Sequence, residues 1–436
     1  MTRKLETHPV IPAAEDEISP QASPKAALAF LSHVAQLLFL NGQTTQRTVV
    51  ATCRLAKALN FGIEVFPRWG ELTVRLWDQD GPHDIAAPVA PTNVNMGKVS
   101  AVMTMIDGLD PRGFKPATAQ VMLQEALNRV ATVSMARFII MAAAGAAALG
   151  VIFGATDPLG MILIAGSAGL GAALRRRLMR ISENPLLPPF AAALLAGIIG
   201  AVATNLHVSS PQRLIAVCPC MVLVPGPHLL NGALDLARTQ ISLGLARVTY
   251  ASVIILMICA GLLLGLAMGG DSLSVSGDSS YVPLFYDVIA AGVAVAAYGT
   301  FFSMSWRMVP VPVAIGMLAH AARWFIVVEA GHSVEVGALL ACFIVSVLVT
   351  PIADRLHLPF AGIAFASVVS LIPGVFLFRM GGGLLALVTL GAQAPAGLLQ
   401  AVVADGATAF VVVLAMAFGL IIPKLCIDHF RHGHGA

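Results

Sequence analysis

From about residue 136 onward the chain is a succession of apolar runs, each about as long as a membrane-crossing helix, and several of them contain no charged residue at all. A helix needs about 20 mainly apolar residues to cross a hydrocarbon core of about 30 Å. In that solvent every backbone N–H and C=O must find a partner within the protein, which leaves helices or closed barrels as spanning structures. Runs of this length predict an α-helical polytopic membrane protein. The whole chain agrees: 57% of its 436 residues are hydrophobic and 11% charged, where a soluble domain carries about 25% charged residues.

Ten spans are expected, approximately Arg137 to Gly154, Leu159 to Leu174, Pro188 to Asn205, Leu214 to Leu230, Thr249 to Met268, Leu284 to Phe302, Val309 to Val328, Val334 to Ile352, Pro359 to Phe378 and Leu398 to Ile422. With the N-terminus in the cytoplasm, the inside loops collect Arg175, Arg176, Arg177, Arg180, Arg238, Arg247, Arg307, Arg355, Lys424 and Arg431. The outside collects Arg213, Arg323 and Arg379. The excess of cations on one side predicts both termini inside, in a multi-pass protein of a bacterial inner membrane.

Residues before about Met135 hold roughly half of all Lys and Arg, so this region faces water. The first residues are acidic and Pro-rich without an apolar core, and read as a disordered leader rather than a secretory signal. Apolar residues then recur at helical spacing (Leu28, Leu31, Val34, Ala35, Leu38), Asn41-Gly42 breaks the pattern, and Thr45 opens a second helix. FGIEVFP and ELTVRLW alternate around Arg68-Trp69-Gly70, as in a β-hairpin. PHDIAAPVAP reads as a Pro-rich connection, followed by helices over Lys98 to Leu109 and Pro116 to Arg129. The expected division is a leader (1–24), a cytoplasmic α+β domain (25–135), a first five-helix repeat (136–270), an external linker (271–283), a second five-helix repeat (284–424) and a cytoplasmic tail (425–436).

The repeat rests on a shift of about 148 residues. It lays SPQRLIAVCPCMVLVPG (Ser210 to Gly226) over LPFAGIAFASVVSLIPG (Leu358 to Gly374), matching Pro211 with Pro359 and Pro225-Gly226 with Pro373-Gly374. The same shift places Arg175 over Arg323, and a shift near 150 places Arg137 over Asp287. An odd number of spans per copy turns the second copy upside down, the inverted plan of many secondary transporters, for which alternating access is the natural mechanism.

A Pro-Gly pair inside an apolar span frees backbone groups that lipid cannot satisfy, so Pro225, Gly226, Pro373 and Gly374 are candidate substrate-binding positions. A broken helix offers partial positive charge at a half-helix N-terminus and carbonyls opposite, which suits a zwitterion. Ionisable residues within spans are functional candidates by default: Asp287, His320, Arg323, Glu329, Asp354 and Asp405. Asp405 in AVVADGATAF, Asp287 and His320 are candidates for proton coupling. Arg137 and Asp287 either pair as symmetry mates or mark helix starts. Asn231 is expected to cap a helix along the inner membrane surface, and Asp235 is either solvated or a gate, as Arg323 is on the other side.

Other chemistries find little footing. His33, His83, Asp107 and Asp110 lie at no recognised ligand spacing, and the six cysteines, Cys218-Pro219-Cys220 included, have no zinc-site pattern. No metal or cofactor is expected, and no nucleophile–base set supports an enzyme. A net charge of +3 is too dispersed for nucleic acid, and RRRLMR (Arg175 to Arg180) reads as a topology signal.

LLFLNGQTTQRTVVATCRLAKALNF, VPGPHLLNGALDL and LIPGVFLFRMGG together resemble the threonine/serine exporter family, over almost all of the chain after the leader. The resemblance implies a cytoplasmic region fused to ten spans and proton-driven export of threonine and serine, with Asn231 and Asp235 carried over beside the Pro-Gly pairs. The partners implied are small amino acids, protons and the lipid bilayer, and a homo-oligomer is compatible with these features. Split relatives are associated with dicarboxylates, so a succinate-like cargo is the alternative, with a membrane-anchored enzyme or scaffold behind it.

Overall fold

The computed structural model describes residues 23–208, 213–271, 282–355 and 360–432. The expected leader up to residue 22, the matched prolines Pro211 and Pro359 with Ser210 and Leu358, linker residues 272–281 and the last four residues lie outside the described residues.

The N-terminal part folds as α1 (Pro24–Leu40), α2 (Thr45–Ala58), β1 (Gly62–Pro67), β2 (Gly70–Asp78), β3 (Gly81–Val89), α3 (Met96–Asp107) and α4 (Pro116–Asn128). Ser23, Thr44 and Asn95 cap the first turns of α1, α2 and α3 with side-chain oxygens, satisfying amides with no helical partner. Strand β2 is central in an antiparallel β1-β2-β3 sheet. Its alternate residues Leu72, Val74 and Leu76 are buried beneath α1. The expected hairpin is therefore two strands of three. The segment read as a Pro-rich connection is β3, where Pro82 and Pro88 pair opposite Trp77 and Glu71. Proline lacks an N–H but is tolerated on an edge strand, whose outer side has no neighbour.

The remainder is helical: α5 (Met135–Ile152), α6 (Pro158–Ile181), α7 (Leu187–Asn205), α8 (Leu214–Met221), α9 (Gly226–Ala237), α10 (Ile241–Met268), α11 (Leu284–Phe301), α12 (Pro310–Trp324), α13 (Val334–Arg355), α14 (Phe360–Val368), α15 (Gly374–Leu390) and α16 (Ala396–His432). Among the described residues nine helical stretches are long and apolar enough to cross a membrane, and the α8–α9 pair, bent by 54°, makes a tenth candidate. Two expected spans need correction. Leu214 to Leu230 is not one rod but α8 and α9. Pro359 to Phe378 is divided too: α14 runs into a 3-10 turn (Val369–Leu371), ends before Pro373, and α15 carries the apolar stretch on to Gln393. In both, a proline without an N–H followed by glycine ends the helical ladder.

The order of elements recurs, three long helices, a short one, a Pro-Gly break and two more, and so do the contacts. Helix α5 packs on α6, α6 on α7, α7 on α10 and α9 on α10, with α8 against α5, α6 and α7. The second set repeats each pairing: α11 on α12, α12 on α13, α13 on α16, α15 on α16, with α14 against α11, α12 and α13. Between the sets α5 meets α11, α8 meets α15 while α14 meets α9, and α10 meets α15 while α16 meets α9.

Small residues allow the closest approaches. Gly197 on α7 faces the backbone of Leu262 and Gly265 on α10, and Gly419 on α16 faces Leu339 and Cys342 on α13. At the α5–α11 seam, a Cβ on Gly145 would lie 2.6 Å from that of Ala297.

Candidate functional site

The first break joins α8 to α9 through Val222–Pro225. Its turns are closed by Leu223 N–H to Cys220 O (3.0 Å), Gly226 N–H to Val224 O (2.9 Å) and His228 N–H to Pro225 O (3.2 Å). Pro227 has no N–H, so the first turn of α9 has its amides already used. The half-helix N-terminus expected to receive a carboxylate is satisfied from within. No backbone hydrogen bond among the described residues uses the carbonyls of Val222 or Leu223. The Met221 carbonyl accepts a long backbone hydrogen bond from Val224 N–H (3.4 Å) and a shorter one from the Tyr298 hydroxyl at 2.7 Å, so a side chain of α11 reinforces the end of the interrupted ladder. Gly226 sits under the ring of Phe365 on α14, with no room for a Cβ.

A cavity of about 600 Å³ reaches this break from the end where the N-terminal domain sits. Val222, Leu223 and Pro225 form part of its wall with Arg175, His228, Tyr250 and Tyr298, and the domain contributes Asn41, Asn95 and Lys98. Tyr250 lies between two rings, 5.1 Å from Trp69 of the β1–β2 turn and 5.3 Å from His228. Arg175 also borders a small second void beside Ser167 and Pro219. Among the described residues it makes no hydrogen bond and no ion pair. Its neighbour Arg176 is engaged, donating to the Val133 carbonyl at 2.5 Å and lying over the Phe138 ring at 4.8 Å.

The second break is closed. Pro373 and Gly374 are buried and border neither of those cavities. Gly374 lies against the Met221 side chain of α8, with 3.0 Å from its notional Cβ to Cγ. Four residues before Gly374, Ser370 begins a buried chain: its hydroxyl is 2.5 Å from His320 Nε2, and His320 Nδ1 is 2.9 Å from Asp287 Oδ2. Three helical segments thus bring together two of the residues picked for proton coupling and add a serine.

Asn231 and Asp235 face the domain. Asn231 is within α9 rather than at its cap, and its amide donates to Gly42 O at 3.2 Å. The expected surface helix is instead packed among α10, α14 and α16. Asp235 is buried 3.4 Å from Arg247 Nε, and Arg247 donates to the Thr45 hydroxyl. The Asn41–Thr45 turn is therefore seated on α9, and Arg47 pairs with Asp354 at the end of α13. Met96 N–H donates to Phe302 O at 2.8 Å, a second tie between domain and bundle.

Asp405 is not solitary, lying 3.1 Å from Arg379 on α15. Arg323, close to the end of α12, packs its stem against Gly337, and Glu329 ends the π-helical turn that follows. Arg137 and Asp287 do not pair: Arg137 donates to Thr300 Oγ1 and Met304 O and covers Trp306, while Asp287 holds His320.

In the domain, His33 contacts Gln120, His83 pairs with Asp78, and Arg54 pairs with Asp107. Hydrogen bonds from Arg112 hold the Asp110 carboxyl below its ordinary range. Among the described residues no three His, Cys, Asp or Glu side chains gather as metal ligands.

Arg175, Tyr250, Tyr298 and Ser370 were missed as site residues. Only Arg175 left a trace in the sequence, its match with Arg323 across the repeat.

A family model described as "Putative threonine/serine exporter" matches residues 29–269, and one described as "Threonine/Serine exporter, ThrE" matches residues 287–426. The gap between them falls where the first set of helices gives way to the second. No curated protein and no solved structure matches the chain.

Proposed function

The chain belongs to the threonine/serine exporter family, a multi-pass membrane transporter, and on that premise we propose that it exports threonine and serine against an inward proton flow, alternating access between two inverted repeats. The observation that carries this reading is the unequal exposure of two equivalent breaks, one bordering a cavity that reaches the domain end and the other buried. Matched contacts within and between the two helix sets support a pseudo-two-fold relation, and an odd number of spans per set makes it inverted. The cation distribution supports termini in the cytoplasm of a bacterial cell, so the cavity would load cargo from inside.

Proton coupling is assigned to Asp287, His320 and Ser370. Neutral His320 with its Nδ1–H donated to Asp287 accepts the Ser370 hydroxyl proton at Nε2; protonated, it donates from both nitrogens. Gaining a proton therefore reverses the hydrogen bond at Ser370, just before the second break. That gives protonation a mechanical outlet where the second set must open.

The cavity wall also carries Lys98, Arg175 and Arg176 against one carboxylate, Glu183, an excess that favours the alternative of a dicarboxylate cargo. Purified protein in liposomes preloaded with labelled threonine, serine or succinate separates the readings. Under an imposed pH gradient, threonine and serine leave faster than from protein-free vesicles and succinate does not. Efflux of succinate alone establishes the alternative, and efflux of none removes the exporter reading.

A further inference from the structure

We infer that Arg175 binds the carboxylate of the cargo, with the carbonyls of Val222 and Leu223 receiving its ammonium group. The inference rests on the exporter reading and deepens it, by naming the residue that makes the cavity a site for α-amino acids.

A zwitterion buried in a bundle must have both charges answered. The usual answer for the anion, open amides at a half-helix N-terminus, is missing at the first break because Gly226 and His228 donate to Val224 and Pro225 and Pro227 has no N–H. Nearby arginines are engaged elsewhere: Arg137 with Met304 O, Arg176 with Val133 O, Arg238 with Asp428 and Arg247 with Asp235. Arg175 borders the same cavity as the break, near Tyr250 and Tyr298, and makes no hydrogen bond or ion pair among the described residues. A guanidinium carries five donors in a fork that fits a carboxylate in two parallel hydrogen bonds.

A topology signal would send this side chain outward to the headgroups. Arg175 instead borders the inner void between Ser167 and Pro219, while exposed Arg177 remains in the loop to set orientation. At the break, the Val222 and Leu223 carbonyls supply the acceptors an ammonium needs. The Tyr250 hydroxyl makes no hydrogen bond among the described residues and borders the same space, which suits a cargo that carries its own hydroxyl.

The test uses the full chain in liposomes. L-threonine and L-threoninamide, which keeps the ammonium and hydroxyl but lacks the carboxylate, compete against labelled threonine in counterflow. The wild type is inhibited by threonine and not by threoninamide at equal concentration. Arg175→Gln raises the half-saturating threonine concentration about 30-fold, the range for losing a charged hydrogen-bonding partner. Arg175→Lys lies between the two, and Arg177→Gln matches the wild type. Equal inhibition of the wild type by both compounds overturns the inference without any variant having to fold, as does an Arg175→Gln protein of normal elution profile with unchanged half-saturation. In either case threonine counterflow by the wild type leaves the exporter reading intact, whereas absence of wild-type counterflow overturns the exporter reading itself.

Discussion

At the first break a glycine lies beneath the aromatic ring of Phe365; at the second, a glycine lies against the flexible thioether of Met221. Both come from the same Pro-Gly motif, each is packed by the short helix of the opposite set, and both interrupt a helix near an ionisable residue. Yet one borders a cavity that reaches the N-terminal domain, and the other is buried beside a Ser–His–Asp chain. The two breaks share a backbone device and differ in the side chains around it, which is why cargo is proposed at one and protons at the other.

The division breaks first at His320. Replacing it with Gln is expected to reduce pH-gradient-driven efflux to that of protein-free vesicles while threonine counterflow, which needs no net proton movement, persists. Gradient-driven efflux at the wild-type rate would remove the second break from proton handling. Asp287→Asn should behave alike, because it removes the charge that orients the imidazole.

Packing around the two glycines sharpens the contrast next. Gly226→Ala forces a methyl group into the Phe365 ring and should cost about 2–3 kcal/mol, as overpacked sites do. Gly374→Ala meets a side chain with three rotatable bonds, which can move aside, and should cost under about 1 kcal/mol. Thermal melts in detergent measure both, and equal losses would mean the breaks are equivalent in packing. In a Phe365→Ala background, Gly226→Ala should cost less than it does in the wild type; an unchanged cost would mean the ring is not the obstacle.

Smaller effects test what holds the first break open. Tyr298→Phe removes the shorter of two hydrogen bonds to the Met221 carbonyl and should lower stability by about 1 kcal/mol. No change in the melt would mean that the Val224 N–H alone satisfies that carbonyl. Smallest is Arg47→Ala, which parts the domain from Asp354 in a pair about a quarter exposed and expected to be worth about 1 kcal/mol. A double-mutant cycle with Asp354→Ala isolates it, and a zero coupling term would leave the docking to the Asn41–Thr45 turn.

What could be read from the sequence follows from what one dimension records. Span positions were legible because hydrocarbon selects length and polarity directly, so α5, α7 and α11 begin and end within a few residues of expectation. Both Pro-Gly pairs mark breaks in the sequence, yet apolarity alone continues through Pro225 and Pro373, so hydropathy runs a single span across each. Strand β3 was hidden by prolines that an edge position tolerates.

Site residues were legible one at a time and illegible as partners. Asp287 and His320 stood out as ionisable, but their meeting with Ser370 depends on three helical segments crossing. Arg175, Arg176 and Arg177 are indistinguishable in a string. Successive positions on a helix point about 100° apart, and that rotation alone sends one toward the cavity, one to a backbone carbonyl and one to the surface.

The seam between α5 and α11 carries a mechanical corollary. Where Gly145 meets Ala297 there are no rotamers to interlock, whereas at the other end of the same pair of helices Phe138 and Phe301 meet edge to face and Arg137 donates to Thr300. Small relative movements are therefore expected to pivot about the aromatic end and to be taken up at the glycine end, where few dispersion contacts have to be remade.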